Sequence, residues 1–145
     1  MVIPLMISAF VLLADQALKF WVVQHIPLGD IVGHNPVLDL TYLQNRGAAW
    51  SIFQGKVGFL FLIAFIASLV IIYLLYKYRH RSPWLRIGLG LCLGGALGNM
   101  IDRIRLGYVV DMFHLELFSF PVFNIADIAL CIGVVCIMFY LVKEE

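Results

Sequence analysis

The chain has 145 residues, 63% of them hydrophobic and 13% charged, with a mean hydropathy of +0.97 and a formal net charge of +1. Soluble domains run at about 45–50% apolar and about 25% charged residues, so water is excluded as the main solvent, and the length excludes two domains with separate cores. The small net charge leaves no basic footprint for nucleic acid, and the three cysteines, Cys92, Cys131 and Cys136, form neither a disulfide framework nor a zinc pattern.

A bilayer crossing needs roughly 20 apolar residues, and the first such run covers about 3–23. Residues 1–14 lack a preceding Lys or Arg, and Asp15, Gln16 and Lys19 interrupt the run before it resumes, so it reads as a retained span rather than a cleaved signal peptide. Asp15 and Lys19 stand four apart on one helix face and can pair, either as a structural ion pair or as part of a site. The loop that follows, about 24–56, is too long for a bare turn. Within it Leu38-Asp-Leu-Thr-Tyr-Leu43 alternates apolar and polar residues at the period of a half-buried strand.

The second span, about 57–76, has no charge between Gly58 and Tyr76. The connection after it carries Lys77, Arg79, Arg81 and Arg86 without an acid. Basic short loops stay in the cytoplasm, so four spans place both termini inside and the loops at about 24–56 and 102–122 outside. The third span, about 84–101, contains Gly94-Gly-Ala-Leu-Gly98, which permits close helix approach, with Asn99, Asp102 and Arg103 at its outer end. Asp102 has Arg103 or Lys19 as its expected counter-charge. The second outer loop carries a second strand-like stretch, Tyr108-Val-Val-Asp-Met-Phe113, in which Asp111 has no Lys or Arg within three residues. The fourth span, about 123–142, holds Asn124 and Asp127 in its first turns. There the helix macrodipole favours an anion, which admits a structural role for Asp127 beside a functional one.

The expected fold is therefore an all-α membrane protein of one domain, with four transmembrane helices and a small extracytoplasmic β-sheet formed by the outer loops. An ionisable residue inside a span is costly and marks function by default. Asp15 and Lys19, Asn45 and Arg46, Asn99 to Arg103, Asp111, and Asn124 with Asp127 all fall near the outer interface. Two carboxylates held close together share one proton, leaving a base to activate water and an acid to polarise a carbonyl. Asp111 and Asp127 are the pair free of local cations. His25, His34 and His114 lack metal-ligand spacing, His80 sits in the cytoplasmic loop, and no HExxH, Gly-x-Ser-x-Gly or P-loop pattern occurs. No metal and no cofactor are expected. Two other classes fit less well: a proton-coupled transporter with Asp15, Asp102 and Asp127 as relays, and a non-enzymatic lipid-binding or assembly factor.

Asp15-Gln-Ala-Leu-Lys19, Asn45-Arg-Gly-Ala-Ala-Trp50, Gly94-Gly-Ala-Leu-Gly-Asn-Met-Ile-Asp-Arg103, Gly107-Tyr-Val-Val-Asp-Met112 and Phe123-Asn-Ile-Ala-Asp127 together resemble the bacterial lipoprotein signal peptidases, or signal peptidase II. The motifs stand in the family's order across nearly the whole chain, with Met112 where the family often has Phe. The resemblance implies a membrane aspartic endopeptidase of the bacterial cytoplasmic membrane. Its partners would be membrane lipids and diacylated prolipoproteins, cut just before the lipid-modified cysteine, and it would act as a monomer. It also implies Asp111 and Asp127 as the catalytic dyad. Asn45, Asn99 and Asn124 would bind substrate or steady the dyad, and Asp15, Lys19, Asp102 and Arg103 would shape the site. Arg46, Gly47 and Ala126 would support it. Trp50 and Phe53 in the first outer loop would either close over the peptide or anchor the loop at the interface.

Overall fold

The computed structural model describes residues 1–33, 36–47, 52–117 and 119–143. Four helices, α1 (Val2–His25), α2 (Val57–Lys77), α3 (Pro83–Leu106) and α4 (Ile125–Lys143), and three strands, β1 (Ile31–Val32), β2 (Leu38–Asn45) and β3 (Val109–Leu115), follow in the order α1-β1-β2-α2-α3-β3-α4. All four helices are long and apolar enough to cross a membrane; at 1.5 Å per residue even the 19-residue α4 reaches about 30 Å, the thickness of the hydrocarbon core. Their outward faces are apolar, with Phe10 73% and Val142 81% exposed. Helices that are hydrophobic all round and bare on one side have lipid as their solvent.

α3 is the central helix and packs against α1, α2 and α4. Glycine makes that possible where the site lies. A Cβ on Gly95 would run into the Ala126 carbonyl oxygen, and one on Gly98 would stand 2.6 Å from Asp15 Oδ2. Backbones therefore touch here, and α1, α3 and α4 meet closely enough for short polar side chains to reach across. Leu75, Leu85, Leu89 and Leu93 fill the α2–α3 contact.

The strands form one antiparallel sheet in the order β1-β2-β3. Val110 and Met112 of β3 and Tyr42 of β2 pack onto Val22 and Ile26 at the end of α1, which seats the sheet on one end of the bundle. The register pairs Leu43 with Asp111 and Asn45 with Val109, with an irregularity between Leu40 and Leu43. Two boundaries differ from the sequence reading. α3 runs on to Leu106 and ends at Gly107, whose left-handed φ of 75° lets its N–H close on the Arg103 carbonyl. Asn99, Asp102 and Arg103 therefore lie on the helix itself. α4 starts at Ile125, because Asn124 caps it rather than belonging to it.

Candidate active site

Asp111 and Asp127 come from a strand and a helix start, and Asn124 joins them. Asn124 occupies the position before α4. Its Oδ1 accepts the Asp127 N–H at 3.0 Å, and Asp127 Oδ2 accepts the Asn124 N–H at 3.2 Å. That reciprocal pair is a capping box, which satisfies two helix-start donors and fixes the Asp127 rotamer. Asn124 Nδ2 then donates across to Asp111 Oδ1 at 2.7 Å. Asn45, at the end of β2, donates to Asp111 Oδ2 at 2.9 Å, and Asn99 on α3 donates to Asp127 Oδ1 at 2.8 Å. Each carboxylate thus has a side-chain amide N–H from a neighbouring element.

Asp111 is 1% exposed. Burial pushes its carboxyl up to about 7, and the charge of Asp127 adds to the rise, while Asn45, Asn124 and Lys19 work the other way. A group poised near neutral pH suits proton transfer.

Behind the pair lies a fully buried charge cluster. The Lys19 ammonium donates to Asp15 Oδ2 at 2.8 Å, Asp102 Oδ2 at 2.9 Å and Asn99 Oδ1 at 3.0 Å. Asp15 Oδ1 accepts the Ala126 N–H of α4 at 3.0 Å, and Asp102 Oδ2 accepts the Val110 N–H next to Asp111 at 3.0 Å. Both acids therefore hold backbone on either side of the pair. Ala126 is wholly buried between Gly95 and Gly98, where a larger side chain would meet helix backbone. The sequence left Arg103 or Lys19 as the counter-charge of Asp102, and Lys19 takes that place. Arg103 turns to two backbone carbonyls, those of Asn99 at 3.4 Å and Gly47 at 3.2 Å.

Gly47 sits where a Cβ would stand 2.9 Å from the Ile52 carbonyl oxygen. The chain folds back there, and the Gly55 N–H closes the loop on the Arg46 carbonyl at 3.0 Å. The Arg46 side chain is exposed, its guanidinium 5.9 Å from the centre of the Tyr108 ring. Phe53 is exposed with φ 57° and its ring lies 5.3 Å from that of Phe59. Trp50 and His34 lie outside the described residues.

Two features escaped the sequence reading. Gln16, between Asp15 and Lys19, donates to Asp102 Oδ1 at 2.9 Å and to the Gly98 carbonyl at 3.3 Å. Its place among the polar interruptions of an apolar run was the available signal. His114 stands two residues from Glu116 in sequence, and strand pairing brings Asp39 beside them, with one ligand-capable atom from each within 4.8 Å of the others. The Asp39 contact comes from the pairing of β2 with β3, which linear spacing does not reveal. His25 stacks on Trp21 at the end of α1.

The family model described as signal peptidase (SPase) II matches residues 7–143. The lipoprotein signal peptidase of Enterococcus faecalis is 48% identical over 146 residues, covering 100% of this chain and 91% of that protein. The lipoprotein signal peptidase of Streptococcus agalactiae is 47% identical, covering 99% and 94%. Two bacterial membrane enzyme structures solved by the in meso method share 36% identity with this chain. One has a TM-score of 0.92 and covers 97% of this chain and 88% of the other; the second has a TM-score of 0.88 and covers 98% and 94%.

Proposed function

The chain belongs to the signal peptidase II family, and we propose that it is a single-domain aspartic endopeptidase that removes signal peptides from diacylglyceryl-modified prolipoproteins, cutting before the lipid-modified cysteine. The observation that supports this most is the sharing of Asn124. One capping residue holds Asp127 by its backbone and Asp111 by its side chain, so the two carboxyls keep a fixed relation although 15 residues of chain, including a loop, separate them.

The raised Asp111 carboxyl supports a division of roles. Asp111, raised to about 7, is the member that carries the proton. Asp127, at a helix N-terminus where backbone N–H groups favour an anion, is the carboxylate. It takes a proton from a water as the oxygen attacks the scissile carbonyl carbon, while the Asp111 O–H donates to the carbonyl oxygen. When the tetrahedral intermediate collapses, the C–N bond breaks and the proton on Asp127 passes to the leaving amine, while Asp111 regains its own. The dyad ends as it began.

The substrate reading rests on where this site lies along the bundle. The candidate dyad and its sheet occupy one end, while Lys77 at the end of α2 and Arg86 near the start of α3 mark the other. The basic end faces the cytoplasm, both termini lie on that side, and the dyad works at the outer leaflet of the bacterial membrane. There a diacylated cysteine keeps its acyl chains in lipid, against the apolar helix faces, and presents its peptide bond at the headgroups. The enzyme acts as a monomer without metal or cofactor. A proton-relay transporter would need buried ionisable groups at several depths. Away from the sheet end, the buried polar side chains among the described helix residues are Ser8 and Ser68.

Purified protein in lipid, given a diacylated prolipoprotein, tests the assignment. Asp111→Asn and Asp127→Asn each reduce cleavage by about 10²–10⁴-fold, the range for loss of a general acid or base, while the variants remain folded. Full cleavage by both variants overturns the dyad.

A further inference from the structure

The three asparagines around the dyad obey one rule, and in one of them the controlling group is a side chain. A carboxamide can turn either its NH₂ or its oxygen toward a carboxylate, and only the NH₂ supports an anion. Asn45 is fixed because its Oδ1 accepts the Gly47 N–H at 2.9 Å, and Asn124 because its Oδ1 accepts the Asp127 N–H. Those donors are backbone. The Oδ1 of Asn99 is held instead by the Lys19 ammonium at 3.0 Å and by Asn124 Nδ2 at 3.1 Å. The second hold is shared, since the two protons of that NH₂ group also serve Asp111 Oδ1 at 2.7 Å and the Val110 carbonyl at 3.3 Å. An ammonium has three donors and no acceptor. A reversed Asn99 would set its own N–H groups against it.

We propose that Lys19 is a positioning residue for the dyad, acting through Asn99 so that an amide donor, never an acceptor, meets Asp127. This rests on the aspartic-peptidase reading above and extends it to a group one hydrogen bond further back. Lys19 acts less through its net field than through this orientation, because Asp15 and Asp102 already flank its charge at 2.8 and 2.9 Å. Among the described residues, the other charged group facing the dyad is Arg103 from α3; β2 faces it with the neutral Asn45.

Lys19→Met alone leaves two buried carboxylates without their cation, and such a variant is prone to misfold. The decisive variant is therefore Asp15→Asn combined with Lys19→Met, which removes one charge of each sign and keeps an acceptor for the Ala126 N–H. kcat/KM for a diacylated prolipoprotein is measured against pH in lipid, beside thermal unfolding. The double variant folds, loses about tenfold or more in kcat/KM near neutral pH, and shows an acidic limb moved up by about one pH unit. Lys19→Arg, another donor-only group, returns the limb to the parent position even if its rate is lower. A parent-shaped profile scaled to the folded fraction, or a double variant that does not fold, assigns Lys19 a structural role alone and overturns the proposal. An inactive parent overturns the peptidase reading and this inference with it, whereas an active parent with an unshifted double variant removes only the inference.

Discussion

At the scale of single residues, the proposed chemistry turns on how Asp111 is solvated. In the unfolded chain its carboxyl ionises near 3.8, and in the fold near 7. Folding therefore favours the neutral form. The contribution of this group to stability is fully present below pH 3.8 and is lost as pH rises through 7. Activity follows the same proton. In the proposed mechanism Asp111 is the acid and must be protonated, so kcat/KM falls on the alkaline side with a limb near 7. That limb belongs to the pair rather than to one residue. Asn45 donates to the ionised Asp111 and holds its pKa down. Asn45→Ala therefore moves the alkaline limb up by about one unit or less, read from the pH dependence of cleavage. An unmoved limb would detach Asn45 from the dyad.

At the scale of elements, two joints place the site: the capping box of α4 and the glycine seam of α3. Loss of a cap side chain costs about 1 kcal/mol, so Asn124→Ala lowers the thermal unfolding temperature in detergent and, by freeing Asp111 Oδ1, also lowers kcat. The seam predicts a contrast between two glycines. Gly98→Ala puts a methyl 2.6 Å from Asp15 Oδ2 and destabilises the α1–α3 contact, whereas Gly58→Ala, with nothing within 4 Å, is neutral or stabilising by up to about 1 kcal/mol. Equal unfolding temperatures for the two variants would mean that the seam is looser than its geometry. These joints also mark how far the sequence could be read. The four helices were legible because hydropathy over some 20 residues is a strong signal, β2 because Leu38 to Leu43 alternate, and β3 because Tyr108 to Phe113 is a short apolar run of strand-forming residues broken only by Asp111. The two-residue β1 was not, since Ile31 and Val32 are too few to show a period. Nor was the true start of α4, since Asn124 sits in the same apolar run as the helix it caps. The candidate site residues were legible as types at one depth, and so was the Asp15–Lys19 pair at four-residue spacing, but most partners on other elements were not, and for Asp102 the sequence left Arg103 and Lys19 as alternatives. That Asp102 pairs with Lys19, 83 residues earlier, while Arg103 reaches Gly47 depends on helix packing that no local pattern encodes.

At the scale of the whole molecule, sidedness decides where the site can work. Exposed apolar residues cover α1, α2 and α4, from Val2 and Phe10 on α1 to Phe139 and Val142 on α4, while the central α3 exposes Trp84, Ile104 and Leu106 near its ends, so the bundle belongs in lipid and only its two ends differ. One end carries Lys77, Arg79, Arg81 and Arg86, and the other the sheet with the buried acids. The difference has a functional consequence, because a peptidase for lipid-modified substrates is useful only where the substrate's peptide bond emerges. His80→Cys reports the basic end and Asp30→Cys the sheet end, read against the parent with its native Cys92, Cys131 and Cys136. A membrane-impermeant thiol reagent added to intact cells labels Asp30→Cys and leaves His80→Cys untouched until the membrane is opened. The reverse pattern would put the dyad on the cytoplasmic side, away from translocated prolipoproteins, and the substrate assignment would fall even if both aspartates were still required for cleavage in vitro. Orientation and chemistry are thus independent claims. The charge asymmetry of the loops supports the first and the Asn124 junction the second, and each can fail without the other.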